Sequence, residues 1–262
     1  MLRPIITLTT DFGLQDHFTG VMKGVILGIE PRASIIDITH EVPKFDTAAA
    51  AFSIAEAWRW FPKKTIHVIV VDPGVGSSRR PILAEAGGHF FIAPDNGLLS
   101  PIYAARKTRV RHIENRKLFL NPVSRTFHGR DIFAPSAAHL AKGVPPSRFG
   151  KLIQDFVQID FPSPRKTGNR TWSGIVLHVD YFGNLITNLP AAEFEGLTTG
   201  SFELAIEAQK VTRFAQSYSE GQPGELLLVA GSSGYLEVAM NQSSAASKLR
   251  SKAAAPVKLT LY

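Results

Sequence analysis

An aspartate and an arginine seven residues apart, Asp72 and Arg79, have the clearest chemical potential in this sequence. A continuous apolar run, IHVIVV at 66–71, leads directly into Asp72, and the turn after it is rich in proline and glycine. Such a run is typical of a buried parallel strand, and open α/β sheets bind ligands where these strands end. Across the turn the two side chains can approach each other and together hold and polarise a water molecule. A structural ion pair that stiffens the loop is the alternative.

Two more polar clusters follow predicted strands or open predicted helices. Asp11 ends the first strand in TTDFG at 9–13, where a carboxylate commonly accepts hydrogen bonds from a ribose diol, or else forms an Asx turn or helix cap. The segment SRTFHGRD at 124–131 opens a helix whose free N–H groups favour an anion or an oriented water. His128 in this segment would act as a base beside the Asp–Arg pair.

A further cluster lies in the last third of the chain, in DYFGN at 180–184 and GSSGYLE at 231–237. The side-chain amide of Asn184 offers the donor and the acceptor that can bind an adenine edge. Asp180, Ser232 and Glu237 are candidates for binding an ammonium group. Each of these residues is also a common turn residue, so a purely structural role is the alternative.

The elements that must position these residues divide the chain into two parts. From 4 to 142, strand-like runs alternate with segments of helical periodicity, which predicts an α/β sandwich-type domain with a mostly parallel sheet. Residues 161–172 form a linker by composition. After it the helix signal nearly disappears, and short strands separated by turns predict a smaller antiparallel β domain. We therefore expect domains at 1–160 and 173–262.

The composition excludes several classes of chemistry. The chain has no cysteine, so disulfides and thiolate catalysis are excluded. The spacings of metal sites, phosphate loops and the Gly-x-Ser-x-Gly elbow are also missing, so we expect no metal and no cofactor. The net charge of +7 includes a basic stretch at 106–130, but no nucleic-acid recognition motif accompanies it. Without a signal peptide or a membrane-spanning run, a cytoplasmic protein that binds neither membrane nor nucleic acid is expected.

Five motifs in order resemble the S-adenosyl-L-methionine (SAM) hydroxide adenosyltransferases, the adenosine-forming SAM hydrolases related to fluorinase and chlorinase. They are TTDFG at 9–13, VDPGVG at 71–76, TFHGRD at 126–131, DYFGN at 180–184 and GYLEVA at 234–239. The resemblance implies an N-terminal α/β domain, a C-terminal β domain and a homotrimer with active sites at subunit interfaces. It also implies a water-holding triad of Asp72, Arg79 and His128.

The same resemblance implies roles for the substrate-binding residues. Asp11 would bind the ribose diol, Phe45 would pack against the sugar, and Thr126 with Phe127 would line the region of C5′. Asn184 would contact adenine, and Asp180 with Ser232 would hold the methionine end, with Phe182 and Glu237 also among the binding residues. The fluorinases have an arginine for the methionine carboxylate where this chain has Ser233, and a tyrosine where it has Asp72.

The predicted function is hydrolysis of SAM to adenosine and L-methionine by in-line attack of water or hydroxide on the ribose C5′. In this scheme Asp72 and His128 accept the hydrogens of the water, and Arg79 favours hydroxide electrostatically. Halide-dependent 5′-halogenation of SAM is the nearest enzymatic alternative. The non-catalytic alternative is a protein that binds SAM or adenosine without turnover.

Overall fold

The computed structural model of the chain describes residues 3–198 and 200–262. The chain divides into two compact units, Met1–Asp160 and Phe161–Tyr262. None of the helices in the described residues combines the length and the apolar character that a bilayer-spanning helix needs.

Unit 1 is built on a seven-stranded sheet with the order β2-β1-β3-β5-β4-β6-β7. Its strands are β1 Ile5–Thr10, β2 Ser34–Thr39, β3 Ile66–Val70, β4 Pro81–Ala86, β5 His89–Pro94, β6 Thr108–His112 and β7 Leu152–Ile153. The run before Asp72 forms the buried strand β3, as its continuous apolar sequence predicts.

The sheet of unit 1 is mixed, so the expectation of a mostly parallel sheet is not confirmed. Strands β2, β1, β3 and β5 pair in parallel, whereas β5 with β4, β4 with β6 and β6 with β7 pair antiparallel. The reversal begins at a two-residue hairpin turn, Gly87 and Gly88, both of which have positive φ. A Gly-Gly pair between two apolar runs is a hairpin signal, and a connection of two residues permits only antiparallel pairing.

The helices of unit 1 are α1 Phe18–Ile29, α2 Thr47–Ala57, α3 Ser100–Ala105 and α4 Ala134–Ala141. Helix α2 is capped at its N-terminus by Asp46, whose side chain accepts the Ala49 N–H. Helix α4 is preceded by a π-helical turn, Gly129–Phe133, so the helix that the segment at 124–131 is predicted to open is regular only in its second part. The apolar faces of α1 and α4 pack on β1 and β3 in one buried core.

Unit 2 contains a nine-stranded sheet in which every pairing but one is antiparallel, as predicted for this part of the chain. Its strands are β8 Arg165–Gly168, β9 Thr171–Val179, β10 Leu185–Pro190, β11 Phe202–Ile206, β12 Gln209–Val211, β13 Phe214–Ala215, β14 Leu226–Ala230, β15 Tyr235–Met240 and β16 Pro256–Leu261. A short helix, α5 Ala245–Leu249, follows β15. Strand β8 lies within the segment whose composition predicts a linker.

Candidate active site

A cavity of about 270 Å³ opens in unit 1 where β1 and β3 end. Asp11 follows β1 directly, and Asp72 comes two residues after β3. Because neighbouring parallel strands end at one edge of a sheet, residues from distant parts of the chain meet there. Six of the residues predicted from the sequence line this cavity: Asp11, Phe45, Asp72, Thr126, Phe127 and His128.

Arg79 joins Asp72 and His128 in one hydrogen-bonded group. Its Nε donates to Asp72 Oδ1 at 2.9 Å, and its Nη2 donates to Asp72 Oδ2. The same Nη2 lies 2.7 Å from Nδ1 of His128. The side chains of Asp72 and Arg79 are only 5% and 9% exposed, so little solvent screens this pair. The structure therefore brings the three predicted triad residues into direct contact.

The contact with Arg79 determines which nitrogen of His128 holds the proton. A guanidinium can only donate, so Nδ1 must accept, and a neutral His128 has its proton on Nε2. Burial of the imidazole, and next the Arg79 charge, hold the pKa of His128 below its usual 6.5, while Asp72 and Asp131 act in the opposite direction. His128 is thus neutral at neutral pH and has no free lone pair on its ring.

The turn between Asp72 and Arg79 is fixed by close backbone packing. Gly76 has a φ of +78°, and a Cβ there would lie 2.4 Å from the carbonyl oxygen of Arg125. Only glycine fits this position, where the turn meets the segment that contains His128. On the other side, Asn96 Nδ2 donates to the Val71 carbonyl at 3.0 Å, immediately before Asp72. The backbone is therefore fixed both before Asp72, by Asn96, and after it, by the packing of Gly76.

The segment that contains His128 is fixed by the buried carboxylate of Asp131. This carboxylate accepts the Ser124 N–H at 2.8 Å and two bonds from Arg130, at 2.6 and 3.1 Å. Ser124 Oγ in turn accepts the Phe127 N–H at 3.0 Å. A Cβ on Gly129 would lie 3.1 Å from Met22 Sδ and from the Phe127 ring, so glycine lets this segment pack closely on α1.

Asp11 and Phe45 are joined across the mouth of the cavity. Oδ2 of Asp11 accepts the Phe45 N–H at 2.9 Å. Phe45 has a φ of 65°, a left-handed backbone conformation that costs a non-glycine residue roughly 1–2 kcal/mol. The residue is 69% exposed. The hydrogen bond to Asp11 is thus one of the contacts that keep an unfavourable loop conformation beside the cavity.

The sequence prediction missed several residues that form the walls of the cavity. Phe12 and Phe18 line it together with Phe127, and the three rings pack with centroids 5.1–5.9 Å apart. Lys44 and Val75 also line it. Phe18 reads as an ordinary core position of α1, and Phe12 as part of the turn after β1, so only the folded arrangement identifies the two rings as cavity walls.

Unit 2 has a cavity of its own, of about 670 Å³, around the 180–184 turn. Four predicted residues line it: Asp180, Phe182, Asn184 and Ser232. Asp180 accepts both the backbone N–H and the side-chain Nδ2 of Asn184, at 2.8 and 2.9 Å. One of the two N–H donors of the Asn184 amide is therefore used, which leaves its second N–H and its Oδ1 acceptor for a ligand.

Glu237 lies behind the wall of this second cavity rather than in it. Its side chain accepts a hydrogen bond from the hydroxyl of Tyr218 at 2.9 Å, and Glu237 is 4% exposed. Burial, together with Glu237, raises the pKa of Tyr218 to about 12, so its phenol stays protonated. Tyr218 itself lines the cavity and was missed from the sequence, because no local motif marks it.

Within the described residues, no group of three or more histidine, aspartate or glutamate side chains is arranged to hold a metal ion.

Two family models match the chain. One, described as the SAM hydroxide adenosyltransferase N-terminal domain, matches residues 6–150. The other, described as the C-terminal domain of the same family, matches residues 174–258. Together they cover most of the chain, and the first of them contains Asp72, Arg79 and His128.

Individual proteins agree with these matches. The chain is 38% identical to a protein from Salinispora tropica named (R)-S-adenosyl-L-methionine hydrolase, over 94% of each sequence. It is 27% identical to a fluorinase from Actinoplanes sp., over 98% of this chain and 97% of the fluorinase. Among solved structures, an uncharacterized conserved protein from Thermotoga maritima superimposes with a TM-score of 0.91 at 38% identity, covering 97% of this chain and 99% of that one.

Proposed function

The chain belongs to the SAM hydroxide adenosyltransferase family, and from that premise we propose that it hydrolyses SAM to adenosine and L-methionine through Asp72, Arg79 and His128. The observation that supports this most directly is the hydrogen-bonded group of these three residues at the cavity of unit 1. A fluorinase is a more distant relative than the SAM hydrolase. In the family that the motifs resemble, the halogenating enzymes have a tyrosine at the position of Asp72.

The reaction is a displacement at the ribose C5′. An oxygen of water or hydroxide forms the new O–C5′ bond while the C5′–S bond breaks and its electron pair goes to sulfur. The leaving group is a neutral thioether, so no general acid is needed. The enzyme must supply an oriented nucleophile and an acceptor for the proton that the water loses.

Asp72 is the proton acceptor in this proposal. Both carboxylate oxygens bind Arg79, but each has a further lone pair, and Asp72 lines the cavity. The lone pair of His128 Nδ1 is occupied by Arg79, so this ring acts by orienting the arginine and the water. Arg79 places a fixed positive charge where hydroxide character develops.

The remaining residues of unit 1 bind the nucleoside part of SAM. Oδ1 of Asp11 accepts hydrogen bonds from the ribose diol, while Oδ2 accepts the Phe45 N–H. The Phe45 ring is exposed and lies beside the sugar. Thr126 and Phe127 surround C5′, where the aromatic wall keeps the sulfonium in dry surroundings as its charge is lost.

The residues of unit 2 bind the other parts of SAM in the same proposal. Oδ1 of Asn184 accepts from the adenine amino group, and Phe182 packs on the base. Asp180 and Ser232 hold the ammonium of the methionine end, and Glu237 acts on this subsite through Tyr218. The protein is a homotrimer in which a neighbouring subunit completes each site, and light scattering would then give three times the mass of one chain.

The proposed function is tested by product analysis. The purified protein is incubated with SAM, with and without chloride or fluoride, and the products are separated by chromatography. We expect equimolar adenosine and methionine whether or not halide is present. A halide-dependent 5′-halo-adenosine would identify a halogenating enzyme, and SAM that is bound but unchanged would identify a binding protein.

A further inference from the structure

A buried threonine–histidine pair lies directly behind Asp11. Oγ1 of Thr10, the last residue of β1, lies 2.8 Å from Nδ1 of His40. Thr10 is fully buried and His40 is 3% exposed. Neither residue lines the cavity, and the triad chemistry does not use them.

His40 links the turn after β1 to the loop after β2. Its backbone carbonyl accepts the Gly13 N–H at 2.8 Å, and the Val42 N–H donates to the Thr10 carbonyl at 3.3 Å. The Thr10 hydroxyl also accepts the Phe12 N–H at 3.3 Å. Asp11 thus lies between Thr10, which belongs to the pair, and Phe12, whose backbone N–H donates to the Thr10 hydroxyl.

A register shift and a close contact with Asp37 accompany this histidine. The register between β1 and β2 shifts after the pair Leu8–Asp37, and such irregularities redirect the side chains that follow. His40 Nε2 lies 3.1 Å from Asp37 Oδ1, although it is not aligned for a hydrogen bond. Asp37 is anchored in turn by Lys23 of α1 at 2.6 Å. The Thr10 contact is therefore the aligned hydrogen bond of the His40 ring.

We propose that Thr10 and His40 are positioning residues that orient Asp11 and Phe45 for the ribose of the substrate. The pair fixes the backbone on both sides of Asp11, and Asp11 in turn holds Phe45 in its left-handed conformation. This inference rests on the proposed function, since it assigns the orientation of the sugar to residues that do not touch it. Losing the pair weakens nucleoside binding and leaves the attack of water at Asp72 largely intact.

The same strand offers a matched control. Thr7, three residues earlier on β1, makes an equivalent buried contact, with its Oγ1 2.8 Å from Nδ1 of His67. Neither Thr7 nor His67 lines the cavity. Thr7→Val therefore removes the same kind of hydrogen bond from the same strand, but away from Asp11. Both valine variants are expected to lower the thermal midpoint to a similar degree.

The test compares Thr10→Val, Thr10→Ser and Thr7→Val in adenosine binding by calorimetry and in SAM hydrolysis. We expect Thr10→Val to raise the Kd for adenosine and the KM for SAM by about tenfold, with kcat within about threefold of wild type, the pattern of lost ground-state binding. Thr10→Ser, which keeps the hydroxyl, restores both constants, and Thr7→Val leaves both at the wild-type value.

Histidine variants extend the test to the other partner. His40→Asn keeps a polar atom near the position of Nδ1 and should bind adenosine nearly as well as wild type, whereas His40→Gln and His40→Leu should resemble Thr10→Val. The double variant Thr10→Val with His40→Leu should be no weaker than either single one, because residues that act as a unit are not additive.

The inference is overturned if Thr10→Val and Thr7→Val bind adenosine equally well, or if Thr10→Ser binds as weakly as Thr10→Val. Failure of the proposed function looks different. In that case the wild-type protein releases no adenosine from SAM, whatever the variants do to adenosine binding.

Discussion

At the scale of single residues, the direction of the hydrogen bonds decides what each member of the triad can do. The sequence identifies Asp72, Arg79 and His128, because a strand-end carboxylate, a nearby cation and a histidine at a helix start are local signals. It does not show that Arg79 donates to Nδ1 of His128, since that depends on how two segments 49 residues apart meet. The scheme predicted from the sequence assigns both His128 and Asp72 as acceptors, whereas the hydrogen bond from Arg79 to His128 favours Asp72.

The first residue-scale prediction concerns the protonation of His128. Its pKa is lowered by burial and by Arg79 and raised by Asp72. We expect the imidazole resonance of His128 in NMR to titrate below 6.5 in the wild-type protein. Arg79→Gln should move this pKa upward, and Asp72→Asn should move it further down. Titration of His128 above 6.5 in the wild type would contradict the assigned contacts; His128→Asn identifies the resonance.

The pKa of His128 also determines how the rate of SAM hydrolysis changes at acid pH. Protonation of His128 puts a second positive charge beside Arg79 and removes the acceptor at Nδ1. The rate of adenosine release should therefore stay constant as the pH falls through 6.5 and decline only at lower pH, where His128 becomes charged. The measurement is kcat against pH at saturating SAM, and a decline centred above 6.5 would not fit.

At the scale of elements, the turns between strands and helices determine which residues meet, and several of these turns depend on glycine. The sequence predicts the strands and helices of unit 1 well, because their apolar periodicity is strong. It does not predict the antiparallel half of the sheet, because the apolar runs of β4 and β5 do not show their pairing direction, which the hairpin at Gly87 and Gly88 determines. It also misses the π-helical turn at Gly129–Phe133, for which side-chain periodicity gives no signal.

An element-scale prediction compares two glycines with positive φ. Gly76 meets the Arg125 carbonyl, whereas nothing lies within 4 Å of a Cβ on Gly143. Both Gly76→Ala and Gly143→Ala strain the backbone, by about 1 kcal/mol each. Only Gly76→Ala pushes the Asp72 turn away from the His128 segment, so we expect it to lower kcat by about tenfold or more.

The measurements are kcat for SAM hydrolysis and the thermal midpoint of each variant. Gly143→Ala should lose stability and retain the wild-type kcat. Equal loss of kcat in the two variants would mean that strain in general, and not the contact with Arg125, controls the site.

At the scale of the whole molecule, each unit has its own buried core and its own cavity. The sequence places Asp180, Asn184 and Ser232 together because turn motifs and strand ends are visible in it. It does not show that the Glu237 side chain binds Tyr218, since these residues come from separate elements. Local signals therefore find residues at strand ends, while contacts between distant elements require the folded structure.

The stability of the molecule in acid is a prediction at this scale. His67 is fully buried between Thr7, His89 and Phe91, and burial lowers its pKa to about 3. Because the unfolded chain binds a proton below pH 6.5 and the folded chain does not, the free energy of unfolding must fall as the pH drops from 6.5 toward 3. His67 alone contributes a slope of up to about 1.4 kcal/mol per pH unit.

His67→Gln removes this titration. Denaturant unfolding at a series of pH values should give a variant that is less stable than wild type at neutral pH but loses less stability on acidification. Parallel curves for the two proteins would show that His67 is not the group responsible.

In the proposed mechanism Asp72 accepts the proton of the water that attacks SAM. The most direct test is kcat for adenosine release from SAM by wild type, Asp72→Asn and Glu225→Gln. Glu225 is a control because it pairs with Arg213 at 2.6 Å outside both cavities. Loss of a general base lowers kcat by about 10²–10⁴-fold, and we expect this for Asp72→Asn with the KM for SAM little changed and Glu225→Gln fully active. Adenosine release by Asp72→Asn at the wild-type rate would show that Asp72 is not the proton acceptor.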